Sequence, residues 1–144
     1  MDVHRTAAPL EARRVARWLA RGRVVAGLTL VLAPRPTIGL ALGVPWDARG
    51  GLVARMAGTR DAILGAGAAI ALAERRHSAS WVSMGALADA ADAWWCLTGP
   101  RLGVRARILG LVAVAAAVAG LVAARRLAEE EGDAEPASAV GVPS

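Results

Sequence analysis

Two neighbouring stretches decide the fold: residues 52–74, LVARMAGTRDAILGAGAAIALAE, and residues 78–98, SASWVSMGALADAADAWWCLT. Both are apolar and rich in alanine and glycine. Both also carry charge in the middle, Arg60 and Asp61 in the first and Asp89 and Asp92 in the second. Each is long enough to cross a bilayer as a helix, which takes about 20 residues. Neither is apolar enough to insert alone. A central Arg or Asp costs about 2.5–3.5 kcal/mol, whereas each Leu, Ile or Val returns only about 0.3–0.6 kcal/mol. Leu52, Val53, Ile63, Leu64, Ile70 and Leu72 therefore supply roughly 2–4 kcal/mol against roughly 5–7 kcal/mol for Arg60 with Asp61. In the second stretch Val82, Leu87, Leu97 and three Trp oppose two aspartates. The two are expected to insert together, with their charges satisfying one another.

The spacing allows this. So short a turn makes the stretches antiparallel neighbours. Counting outward from it at a common helical rise sets Asp92 level with Arg60 and Asp61, with Asp89 about one turn away. Asp89 and Asp92 share a face with Gly85 and Cys96. On the preceding helix Gly58, Asp61, Ala62, Gly65 and Ala69 form a stripe of mostly small residues, the kind that lets two backbones approach closely in lipid. Arg60 bidentate to Asp89 or Asp92 is the expected contact, because a guanidinium fork matches a carboxylate.

The rest of the chain supports a membrane reading. Its 144 residues make one domain; 56% are hydrophobic, yet Phe and Tyr are absent. All 17 cationic side chains are Arg, and the net charge is +5. The arginines flank or interrupt apolar segments without forming a soluble basic face, which argues against a nucleic-acid partner. The single cysteine, Cys96, excludes an internal disulfide.

Residues 1–14 read as a polar, basic, mobile segment, with a helix able to begin at Pro9. A first span is expected at about 15–33, ending at Pro34-Arg35-Pro36. Its uncharged part, Val24 to Ala33, is short enough to raise a signal peptide. Pro34 after the candidate cleavage site argues for retention. Residues 34–51 read as a surface loop with Trp46 at the interface, a re-entrant segment being the lesser alternative. The further spans are 52–74, 78–98 and 102–124, the last uncharged from Ile108 to Ala124 and able to insert unaided. Residues 125–144 read as an acidic disordered tail, whose charge would allow an electrostatic contact with the basic N-terminal segment. The fold class is thus all-α, a four-transmembrane-helix bundle with a short hairpin between its second and third helices.

Arginine counts orient it. The N-terminal segment, the turn at Arg75 and Arg76, and the pair Arg125 and Arg126 hold eight; the opposite loops hold four. Both termini are expected in the cytoplasm, across a bacterial inner membrane. In that topology Arg23, Arg60, Asp61, Asp89, Asp92 and Arg107 fall in one slab, three positive and three negative. A mutually bonded neutral cluster is the least costly way to bury them.

The pattern Gly58-x-Arg60-Asp61-x-x-x-Gly65, then Asp89-x-x-Asp92, with Arg23-x-x-x-Gly27 and Pro34, resembles a family of small bacterial, actinobacterial-type four-helix integral membrane proteins known only as a domain of unknown function. The resemblance covers about residues 15–124. It implies the four-helix fold and membrane location and brings no activity. Size and layout are also loosely DoxX-like.

Chemistry is sparse. His4, His77 and Cys96 are the only soft ligands, and no metal or cofactor is expected. Ser78, Ser80 and Ser83 have no base beside them in any motif, the glycines sit at helix-packing spacing, and no catalytic residue stands out. Enzyme activity is therefore not expected. The leading reading is a structural or complex-subunit bundle, its partners membrane lipids and another membrane subunit or a second copy. The alternative is proton, ion or small-solute binding or transport through a polar cavity at Asp61, Asp89 and Asp92. A membrane enzyme acting on a lipid or quinone comes third.

Overall fold

The computed structural model of the chain describes residues 3–43, 45, 47–100 and 102–134. They form five helices: α1 (Val3–Leu32), α2 (Pro34–Leu42), α3 (Ala48–Glu74), α4 (Ser78–Thr98) and α5 (Val104–Ala134). No strand occurs among the described residues. The four long helices alternate in direction. They pack most extensively as two antiparallel pairs, α1 with α3 and α4 with α5, joined along α1–α5 and α3–α4.

The α1–α3 pair is closed by glycine. A methyl group placed on Gly27 would fall 2.5 Å from both the Gly58 carbonyl oxygen and the Ala62 nitrogen. One on Gly65 would meet the Ala20 carbonyl at 2.7 Å. The stripe Gly58, Ala62, Gly65 therefore faces α1, not α4 as the hairpin reading expects. Ala69 is exposed, and the buried position at that end of the stripe is Ala68. A stripe repeats every 3.6 residues, so four-residue steps drift off the contact. The α4–α5 pair closes similarly, Gly110 against Cys96 and Leu97 and Gly120 against Ala86. Between α3 and α4 the ring of Trp81 lies over Gly67, where a Cβ would overlap it.

Near the α3–α4 turn the core is built from Ala16 and Ala20 of α1, Ala68 and Leu72 of α3, Val82 of α4, and Ala123, Ala124 and Leu127 of α5. The turn itself, Arg75 to His77, holds two non-glycine residues in the left-handed region, Arg75 at φ 56° and His77 at φ 54°. Such a residue costs about 1–3 kcal/mol, which the surrounding packing must offset.

Three boundaries differ from the sequence reading. Helix α1 begins at Val3, within the stretch expected to be mobile. Residues 34–42 are helical, bent 114° from α1, with Pro34 and Pro36 in a first turn where an N–H is dispensable. Gly43, at φ 68°, ends this helix, and Pro34 and Ile38 are buried. Helix α5 continues to Ala134, through ten residues assigned to the disordered tail. Leu127 is fully buried, Arg13 bonds Glu130 at 2.7 Å, and Glu131 accepts the Ser78 N–H at 2.7 Å. The α1 and α5 extensions thus hold each other. Residues 135–144 and Trp46 lie outside the described residues.

Among the described residues, by length and composition, Val104–Gly132 is the one helix apolar enough to cross a membrane. A second is counted if Leu10–Leu32 and Pro34–Ala41 form one broken span.

Candidate functional site: an ion network across three helices

Five of the six charged residues singled out in the sequence come together at mid-height. Arg23 stands on α1 between the contacts of Ala20 and Gly27, so the glycine packing sets its height. Its Nη1 donates to Asp61 Oδ1 at 2.9 Å. Its Nη2 donates to the Gly85 carbonyl at 2.8 Å and pairs with Asp89 Oδ2 at 2.5 Å. Arg23 thereby crosses the bundle interior from α1 to α4 and lies against Gly85. A Cβ there would make only ordinary contact with the guanidinium.

The chain of ions continues outward. Arg60 Nη2 meets Asp61 Oδ1 at 3.2 Å. Arg60 also grips Asp92 with both terminal nitrogens, Nη2 to Oδ2 at 2.5 Å and Nη1 to Oδ1 at 3.3 Å. The order is Asp89, Arg23, Asp61, Arg60, Asp92. Exposure divides it: the Asp89, Arg23 and Asp61 side chains are 20%, 11% and 18% exposed, those of Arg60 and Asp92 42%. The inner part is thus a buried lock, and the outer part is an ion pair at the α3–α4 surface.

Arg107, the sixth member of the expected slab, stands apart. It is exposed and donates to the Leu97 carbonyl at 3.3 Å, near the end of α4. Depth alone put it with the others; its position around the helix and its place at the start of α5 take it away. The bonded network therefore holds three carboxylates and two guanidiniums and is not neutral.

A cavity of about 20 Å³ touches this site, bounded by Arg23, Asp89, Gly65, Gly85, Trp81 and Gly120 among others. That is room for about one water molecule. Asp61 and Asp92 do not line it. Among the described residues no three His, Cys, Asp or Glu side chains are placed to hold a metal ion. Ser78 Oγ donates to the Ala71 carbonyl and Ser83 Oγ to the Ser80 carbonyl, so both hydroxyls satisfy helix backbone. His4 has no described side chain.

The contact raised between the basic N-terminal segment and the acidic tail takes the form of Arg13–Glu130, while the capping role of Glu131 was missed and Gly27 was given no packing role. The signal for the acids was their position in phase with Leu127 on a continuing helix of good helix formers, obscured by the run of like charges around them.

Comparison with protein-family models, with curated proteins and with solved structures finds no match.

Proposed function

We propose that this chain is a small multi-pass membrane protein, a structural bundle or complex subunit whose four long helices are locked in register by the Arg23–Asp61–Asp89 triad and its Arg60–Asp92 extension. The observation that supports it most is how side chains are sorted by size. The buried positions are overwhelmingly alanine and glycine, while Val25, Val53, Ile63, Leu87, Leu111 and Val118 are each more than half exposed. A water-soluble bundle buries its large aliphatic side chains and leaves few contiguous apolar patches outside. Helices in lipid gain nothing from hiding leucine and associate instead through small residues and polar bonds.

In this reading α3 and α4 enter the bilayer because their charges are already paired within the bundle. The resemblance to small bacterial four-helix membrane proteins agrees with it. The end carrying Arg13, Arg14, Arg17, Arg75, Arg76, Arg125 and Arg126 then faces the cytoplasm of the bacterial inner membrane, with the start of α1 and the end of α5 on that side. A cavity with room for one water favours a lock over a solute path.

The test is extraction of membranes from expressing cells. Alkaline carbonate should leave the protein in the pellet, and a non-denaturing detergent should release it folded. Recovery of folded protein in the carbonate supernatant would overturn the reading.

A further inference from the structure

The first half of α1 carries arginines that the bundle does not use. Arg14, Arg17 and Arg21 are spaced three and four residues apart, on one face of the helix. With Leu10 and Trp18 they line a shallow open groove along its surface. All three are exposed, as are Leu10 (66%) and Trp18 (67%). Among the described residues none of the three is paired with a carboxylate. Arg17 bonds only the Arg13 carbonyl, at 3.2 Å, and Glu130 is taken by Arg13.

This ladder does not stay at the rim. Arg23 marks the height of the ion network, so at helical rise Arg14 lies about 13 Å below it and Arg21 only about 3 Å below. At comparable heights the other helices expose Met84, Leu87 and Leu121. Arg14 and Arg17 thus stand at the basic end, where Arg125 and Arg126 are also exposed, and Arg21 carries the row up into an otherwise apolar wall. Helical side chains lean toward the N-terminus, so all three reach back toward the basic end. What completes such a face is an anion that can follow them into an apolar layer. Phosphate suits the guanidinium fork, and a phospholipid brings it attached to chains that can lie on Leu10 and Trp18. A zwitterionic headgroup carries its own cation beside the phosphate; an anionic one leaves the arginines unopposed.

Resting on the membrane reading above, we propose that this face of α1 is a binding site for an anionic membrane phospholipid. Arg14, Arg17 and Arg21 hold the headgroup phosphate, and Trp18 lies against the upper acyl chains.

The experiment uses the full chain reconstituted into phosphatidylcholine vesicles containing an equal amount of phosphatidylglycerol, checked by flotation. The protein is then gently released in detergent and its retained lipids are counted by native mass spectrometry. The wild type should retain phosphatidylglycerol over phosphatidylcholine by roughly tenfold. The triple variant Arg14→Gln, Arg17→Gln, Arg21→Gln should still float and should fall to near parity. A control of equal charge, Arg75→Gln, Arg76→Gln, Arg125→Gln, should keep the preference. Equal retention of both lipids by the wild type overturns the site, as does a control that loses as much as the triple variant. Retention of added glycerol phosphate by a wild type that keeps no phospholipid would make free phosphate the ligand and overturns it too. Failure of the wild type to float with vesicles would instead overturn the membrane reading on which the site rests.

Discussion

Arg23 makes three bonds that no other side chain could replace together: to Asp61 on α3, and to Asp89 and the Gly85 carbonyl on α4. Removing it leaves Asp89 without a cation and Asp61 with Arg60 alone, and breaking a buried pair from one side costs about 3–5 kcal/mol. Loss of Arg60 leaves Asp61 with Arg23 and strips only Asp92, whose 42% exposure lets it find polar surroundings at a lower cost than the less exposed Asp89. Arg23→Gln should therefore lower the midpoint of thermal unfolding in detergent much more than Arg60→Gln. Adding Asp89→Asn to Arg23→Gln should recover part of the loss. Equal effects from the two single variants would show that burial does not grade the network. The Arg60–Asp92 pairing is legible in sequence because a three-residue turn fixes the register of the helices it joins. Arg23 lies beyond a bent connection with no such ruler, so its height could be estimated but not its partners. Arg107 shows the complementary failure: equal depth says nothing about direction around a helix.

At the scale of elements, the glycines separate close approach from open surface. Gly27 and Gly22 are both on α1. A methyl on Gly27 collides with the α3 backbone, whereas one on Gly22 meets nothing within 4 Å. Gly22→Ala should stabilise α1 by up to about 1 kcal/mol, the ordinary helix preference of alanine over glycine. Gly27→Ala should destabilise despite the same preference, because α1 and α3 must move apart and Arg23 with them. Thermal unfolding of the two variants in one detergent checks the sign of each, and a stabilising Gly27→Ala would remove the close contact from the account. The small-residue stripe on α3 was readable from spacing alone. Its partner was not, since a stripe states that something approaches without saying which helix. Residues 34–42 were misread for a related reason: prolines that break one helix are well suited to start the next.

For the molecule as a whole, the α5 extension ties the basic end together. It bonds α1 through Arg13–Glu130 and supplies, through Glu131, the cap that α4 lacks locally, since His77 makes no side-chain capping bond. Loss of a helix cap costs about 0.5–2 kcal/mol. Glu131→Ala should lower stability by about 1 kcal/mol. It should also speed amide hydrogen exchange in the first turn of α4 while leaving exchange in the middle of α3 unchanged. A uniform rise across the molecule would show instead that Glu131 acts on global unfolding alone. The all-α class was clear from the sequence because apolar length and charge spacing are local properties. Opposite charge on the two terminal segments suggested that they meet, but the helix that carries the acids and the partners each takes were not legible, because a run of acids looks solvated until the register of a distant helix is known.

The Glu131–Ser78 bond also imposes an order in time. Translation delivers α1 and α3 first, so their glycine seam and the Arg23–Asp61 bridge can close early. Asp89 is added only when α4 emerges, and the first turn of α4 waits roughly fifty residues longer for its acceptor. A nascent chain halted before Leu127 would hold its central lock already shut while the entry to α4 was still fraying.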